Sequence, residues 1–141
     1  MNTVTSAVNL AHAILATDAL ITHKRQLLTV CIWKVTEANG KYNVRYWSEG
    51  IYNLVQEHGS IRAVTKLRPL SLRHEHVNPR KQLIDAMLAN PDDVERILGQ
   101  EAFACLVTKD EHRRLSNDAI GFERYRQANI RVWDTASQDW L

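Results

Sequence analysis

The sequence predicts an α+β fold in a single domain spanning residues 1–141. Two observations support this prediction. Short apolar segments of strand length alternate with longer segments in which apolar residues recur every three to four positions, as one face of a helix requires. In addition, hydrophobic residues make up 45% of the chain and charged residues 24%, which is ordinary usage for a globular protein. We divide the chain into an N-terminal half, 1–61, and a C-terminal half, 62–141, that contains the candidate site.

The N-terminal half is predicted to begin with an amphipathic helix over residues 3–17. Its apolar residues at helical spacing are Val4, Val8, Ala11 and Leu15. A second helix is predicted over residues 48–58, and Gly59 is expected to end it because glycine readily adopts the left-handed conformation found after helices. The segment around residues 64–72 is predicted to be irregular or extended.

Residues 27–47 permit two interpretations, of which we favour the first. The β-branched residues before Asn39-Gly40 and the alternating polar and apolar residues after it indicate a β-hairpin. Asn-Gly can also mark the end of a helix. The residues that would form an apolar helical face are Leu28, Cys31, Ile32 and Val35.

The C-terminal half is predicted to contain a strand–helices–strand–helix core. The predicted strands cover residues 72–77, 102–107 and 130–133, and the predicted helices lie within 79–99, after 108 and over 122–127. Asn78-Pro79 predicts a helix start, because asparagine is a good N-cap and proline suits the first helical position. Thr108 and Glu111 form a capping-box sequence. Residues 122–126 are interpreted as a helix with a solvated, charged face.

The cysteines and the hydropathy pattern predict a cytoplasmic protein. Cys31 and Cys105 both lie in apolar stretches, and the sequence contains no CxxC pair, so we expect two buried free thiols, as a reducing compartment allows. The first residues do not resemble a signal peptide. No apolar run reaches the ~20 residues that span a bilayer, so no membrane partner is expected.

Basic residues are concentrated in one part of the chain, although the net charge is only +2. Residues 62–81 contain a single acid, Glu75, and six bases, which are Arg62, Lys66, Arg68, Arg73, Arg80 and Lys81. Either an anionic partner or an ordinary solvated face would explain this excess. The aromatic residues within 42–47 flank Arg45. They indicate either packing or the stacking surface of a single-strand nucleic-acid reader.

A short motif carries the strongest functional signal. The sequence Glu75-His76-Val77-Asn78-Pro79 has the form acid–His–aliphatic–x–Pro at the end of a predicted strand. A later strand leads through its cap into a helix that carries His112. This arrangement resembles the ββα-metal motif of HNH nucleases over residues 72–115, a third of the chain.

The resemblance implies metal-dependent hydrolysis of nucleic-acid phosphodiesters, with a divalent Mg, Mn or Zn ion. Glu75 is similar to the acidic metal ligand, His76 to the general base and His112 to the helix-borne metal ligand. The residues implied to contact nucleic acid are Arg73, Arg80, Lys81, Arg113 and Arg114. The sequence departs from the family in three respects, one of which is that it lacks the paired CxxC zinc-binding elements of many members. Helices within 79–99 replace the usual hairpin loop, and the middle asparagine has no obvious counterpart.

Strand geometry leaves other interpretations open. Strict alternation places His74 and His76 on one face and Glu75 on the other. The two histidines could then form a three-His zinc site with His112. Alternatively, Glu75 could simply pair with Arg73 or Arg80 on the surface. The alternative functions are a non-catalytic protein-binding module, such as an inhibitor or antitoxin-like protein, and a non-catalytic nucleic-acid-binding protein.

Overall fold

The computed structural model describes residues 1–67 and 72–141. Its helices are α1 (Thr3–Ala16), α2 (Ile21–Thr36), α3 (Glu49–His58), α4 (Ile61–Leu67), α5 (Arg80–Ala89), α6 (Val94–Arg96), α7 (Lys109–Arg114) and α8 (Glu123–Gln127). Its strands are β1 (Tyr46–Ser48), β2 (Leu72–His76), β3 (Ala104–Thr108), β4 (Val132–Asp134) and β5 (Asp139–Trp140). A 3₁₀ turn at Pro91–Asp93 precedes α6, and a π-helical turn at Ile97–Glu101 follows it. These elements confirm the predicted α+β fold.

Residues 1–39 and 78–103 form one compact helical unit. Apolar side chains of α1, α2, α5, α6 and the π-helical turn build its core. The fully buried members are Ala11, Leu28, Cys31, Ile32, Met87, Val94, Ile97 and Leu98. Helix α1 confirms the prediction for residues 3–17, and α5 and α6 confirm the helices predicted within 79–99.

The structure contradicts the β-hairpin predicted for residues 27–47. Helix α2 covers the first part of this segment, where Leu28, Cys31 and Ile32 are all fully buried. Burying this helical face outweighs the β preference of the branched residues, since propensity is only a weak prior. Gly40 does adopt a left-handed φ of +101°, but within a turn that follows the helix.

Residues 40–77 and 104–141 form a second compact unit around a five-stranded sheet, in the order β2-β3-β1-β4-β5. Strand β1 is parallel to β3, and the other neighbouring strands are antiparallel. The buried side chains of one core cluster, contributed by α3, α4 and the sheet, are Ile51, Val55, Val64, Leu72 and Leu106. Strand β3 leads directly into α7, so the order β2, β3, α7 follows the order of elements in the sequence motif.

Two local predictions need correction. The segment 64–72 is not irregular throughout, because α4 extends into it and β2 begins at its last residue; residues 68–71 lie outside the described part of the chain. Asn78 does not cap α5 with its side chain. Its Nδ2 donates to the carbonyl of Glu101 at 2.9 Å, and α5 begins after Pro79, whose φ of −55° suits a helix start.

Both cysteines are buried free thiols, as predicted. Desolvation by burial raises the pKa of the Cys31 thiol and of the Cys105 thiol, which keeps both protonated at neutral pH. Within residues 1–67 and 72–141, no helix combines the length and apolar character needed to cross a membrane.

Candidate acid–base site

The carboxylate of Glu111 fixes the start of α7. Its Oε1 accepts hydrogen bonds from the Thr108 backbone N–H at 2.9 Å and from the Ser48 hydroxyl at 2.5 Å, and its Oε2 accepts from the Gly50 N–H at 3.1 Å. The Thr108 hydroxyl accepts from the Glu111 N–H at 3.2 Å, which confirms the capping box. Because Ser48 also caps α3, one buried carboxylate ties α7 to both β3 and α3.

Helix α7 presents His112 to Glu75 near the end of β2. His112 Nδ1 and Glu75 Oε2 are 2.6 Å apart, which is the distance of a strong hydrogen bond. An ionised carboxylate can only accept, so with Glu75 ionised Nδ1 is the donor, and Nε2 is the ring nitrogen left outside the pair. The His112 side chain is 49% exposed, whereas that of Glu75 is 14% exposed. The pair therefore presents an oriented imidazole to solvent, supported by a largely buried carboxylate.

Arg124 completes the network from α8. Its side chain is 3% exposed, and its Nη2 donates to Glu75 Oε1 at 3.1 Å. The other acceptors of its guanidinium are the carbonyls of His76, Val77 and Ser116 and the side-chain oxygen of Asn117, at 2.9 to 3.1 Å. Every one of its five N–H groups can thus be satisfied. This buried cation holds both the carboxylate and the end of β2 in position.

The structure corrects the interpretation of residues 122–126 as a solvated charged face. Glu123 and Arg126 are exposed, but Arg124 and Tyr125 are buried. In the sequence, Arg124 has no motif around it and resembles its exposed neighbour Arg126. The acceptors of Arg124 lie in residues 75–77 and 116–117, which the fold brings to α8, so sequence reasoning missed this residue.

His74 and His76 form a separate pair. Their ring centroids are 5.6 Å apart in an edge-to-face arrangement, as expected for alternate residues on one face of a strand. Glu75, between them, contacts His112 on the opposite face. The fold therefore brings His112 together with Glu75. It does not assemble the proposed set of His74, His76 and His112.

In this structure, His112 Nδ1 and Glu75 Oε2 do not have the separation of two atoms that share a metal ion. Two donor atoms that share an ion lie roughly 3–4 Å apart, given metal–ligand lengths of about 2.0–2.2 Å, whereas these two are joined by a 2.6 Å hydrogen bond. Arg124 already places a positive charge on the other carboxylate oxygen. Among the residues that the structure describes, no three His, Cys, Asp or Glu side chains are grouped closely enough to hold a metal.

The basic residues assigned to nucleic-acid contact are divided between the two units. Arg113 and Arg114 are exposed on α7 next to His112, and Arg114 also donates to a backbone carbonyl after α8 at 2.9 Å. Arg73 lies on β2 and donates to the carbonyl of the preceding residue at 3.0 Å. Arg80 and Lys81 belong to α5 of the helical unit. There Arg80 lies 5.6 Å from the centroid of a tryptophan ring, and Lys81 pairs with the carboxylate of Asp85 at 3.1 Å.

Comparisons with models of protein families, with curated proteins and with solved structures produced no match to this chain.

Proposed function

We propose that the chain cleaves phosphodiester bonds in nucleic acid, with His112 as the general base and Glu75 as the residue that positions it. The observation that supports this proposal is the 2.6 Å hydrogen bond between His112 Nδ1 and Glu75 Oε2, in a pair whose imidazole is half-exposed. A neutral imidazole is suited to proton transfer near neutral pH, and a carboxylate behind it fixes its tautomer and stabilises its protonated form.

The surroundings of the imidazole favour an anionic substrate. Lys109, Arg113 and Arg114 are exposed on the same short helix as His112. Of the two acids of this helix, Glu111 is buried and engaged in the capping network, and Asp110 is exposed, so the exposed charges of α7 still sum to an excess of positive charge. Exposed lysine and arginine side chains supply most of the affinity of proteins for phosphate backbones.

In the proposed reaction, the His112 imidazole first accepts a proton and later donates it. His112 Nε2 takes a proton from water, whose oxygen attacks phosphorus while the bond to the leaving oxygen breaks. The imidazolium then delivers that proton to the leaving oxygen. Glu75 accepts the Nδ1–H throughout and stabilises the charged ring. This scheme transfers the role of base from His76 to His112, because the carboxylate contacts His112.

A cleavage assay tests the proposal. The purified chain is incubated with supercoiled plasmid, single-stranded DNA and RNA, in EDTA and separately with Mg²⁺ or Mn²⁺. We expect cleavage, and we expect His112→Ala to reduce it by about 10²–10⁴-fold, the contribution typical of a general base. The His112→Ala melting temperature should stay close to that of the wild type, because the side chain is half-exposed.

His76→Ala is the matched control, since it removes the histidine that the motif resemblance assigns as the base. Cleavage that persists in His76→Ala and disappears in His112→Ala supports the proposal. The opposite pattern would restore His76 as the base. Cleavage abolished by EDTA and restored by Mn²⁺ would favour the metal-dependent reaction, and a wild-type chain that cleaves none of these substrates contradicts the proposal.

An exposed apolar surface on α2 favours a protein-binding module as the second candidate. Leu27, Val30 and Trp33 are 51%, 37% and 45% exposed, and they lie along the helix side opposite its buried face. Apolar side chains grouped in this way often mark protein interaction sites. Light scattering of the wild type and of Leu27→Asp tests for self-association. A monomer at all concentrations in both cases would remove a second copy of the chain as the partner.

A further inference from the structure

A cleft away from the acid–base site lies in the sheet-containing unit. Its volume is about 590 Å³, and residues of the loop before β1, of α3 and of the segment from β4 to β5 line it. The aromatic residues of the lining are Tyr42, Trp47, Tyr52 and Trp133, and the amide side chains are Asn43, Gln56 and Gln138. Flat rings beside amide donors and acceptors are the chemistry that recognises a planar, hydrogen-bonding ligand.

The aromatic wall of the cleft is held by packing between rings. Tyr52 lies 4.8 Å from Trp133 and 4.8 Å from Trp140, measured between ring centroids, and Trp133 lies 5.2 Å from Trp140. The guanidinium carbon of Arg131 lies 4.0 Å from the centroid of the Trp140 ring, which adds a cation–π contact to the cluster. Because the rings fix one another, a ligand that stacks on them does not have to order mobile side chains first.

Trp47 provides a second, independent indication of a ligand. Its Nε1–H is buried and has no acceptor within residues 1–67 and 72–141. Buried donors are almost always paired, and leaving one unpaired costs about 1–3 kcal/mol. Trp47 also lines the cleft, and a ligand carbonyl or ring nitrogen there would satisfy this donor once the indole ring turns toward it.

We infer that the cleft binds one unpaired nucleobase of a single-stranded nucleic acid. A base offers a flat face to the rings, as well as carbonyl and ring-nitrogen acceptors to Trp47 and to the amides. Lys41, whose ammonium lies 5.6 Å from the centroid of the Tyr42 ring, supplies a positive charge beside the cleft for the backbone phosphate. The choice of nucleic acid as the ligand rests on the proposed function, whereas the cleft and its unpaired donor do not.

Binding is measured by fluorescence anisotropy with a labelled oligonucleotide of about 12 nucleotides, a length within the usual range of single-strand sites. Single-stranded DNA, single-stranded RNA and the matching duplex are compared in the His112→Ala background, in which cleavage of the probe should be slowed by about 10²–10⁴-fold. We expect the single strands to bind more tightly than the duplex, because a paired base cannot enter the cleft. Affinity for the single strands should fall as salt rises.

Two variants test the cleft itself. Tyr42→Ala should weaken single-strand binding roughly 5- to 150-fold, the range for stacking one base on one ring. Trp47→Phe keeps an aromatic ring in place of the indole and removes the N–H, and should weaken binding about 2- to 13-fold. Trp33→Ala and Gln26→Ala, an exposed aromatic and an exposed amide on α2, are the controls and should bind like the parent.

The outcomes separate this inference from the proposed function. Folded Tyr42→Ala and Trp47→Phe that bind like the parent would overturn the nucleobase cleft, even if the chain cleaves nucleic acid. The absence of any single-strand binding at low salt would overturn it as well. Cleft-dependent binding by a wild-type chain that cleaves nothing would support the cleft and remove the phosphodiesterase.

Discussion

Replacing Arg124 with methionine tests the central claim about how the candidate site is held. Methionine keeps much of the side-chain volume but removes the charge and all five N–H donors. The Glu75 carboxylate then loses its buried cation, and the carbonyls of His76 and Val77 lose the donor they share. Since Glu75 is only 14% exposed, water can replace little of this network.

The magnitude follows from the burial of Arg124 and the low exposure of Glu75. Breaking a buried ion pair by removing one partner costs about 3–5 kcal/mol. A chain of 141 residues unfolds with an entropy near 0.3 kcal/mol/K at about 2.1 cal/mol/K per residue, so Arg124→Met should lower Tm by about 10–17 °C. Calorimetry and urea titration measure this loss.

Arg126→Met is the matched control, two residues further along α8. Arg126 is 70% exposed and pairs with Glu123 at 3.0 Å, so its removal should cost less than about 1 kcal/mol. The double variant Glu75→Gln/Arg124→Met should lose less stability than the sum of the two single variants, because the same contact is removed in both. Equal losses for Arg124→Met and Arg126→Met would refute the assignment of a buried cation that holds the site.

Two further predictions concern the surrounding structure. In Gly50→Ala, the new Cβ would lie 2.7 Å from Glu111 Oε1. We therefore expect thermal melts to show that the free energy of unfolding falls by about 1–3 kcal/mol. Gly99→Ala, with nothing within 4 Å of its new Cβ, is the control, and equal melting of the two variants would contradict the clash. The Arg45 guanidinium, which is hydrogen-bonded to Asp134, holds the pKa of that carboxyl well below its usual range. The stability that Asp134 contributes is therefore fully present above its unfolded pKa of ~3.9, and it is lost as the pH falls toward the lower pKa of the folded state. The stability deficit of Asp134→Asn at pH 7 should therefore shrink below about pH 4 in urea titrations, and a deficit that stays constant down to pH 3 would contradict this.

Local sequence signals predicted most of the helices, as well as the strand and the capping box that position the candidate site. The Thr108–Glu111 capping box, the α3 end at Gly59 and the strand before Val77 were all predictable, because each depends on residues within a few positions of one another. Where two local patterns competed, as in residues 27–36, the sequence left the choice open. Burial of one helical face in the core decided it.

The sequence by itself determined which side chains could carry chemistry, since the order of residues alone is enough to recognise the motif at Glu75 and the helix bearing His112. Only the tertiary structure decided how they combine. Alternation along β2 separates His76 from Glu75, and the 2.6 Å contact joins Glu75 to His112, a residue 37 positions away. Arg124 comes from 49 positions away, and the sequence around it shows no sign of its burial. Such contacts depend on the packing of α7 and α8 against the sheet. Burial, and pairing between residues far apart in the sequence, are properties of the folded chain that no local pattern encodes.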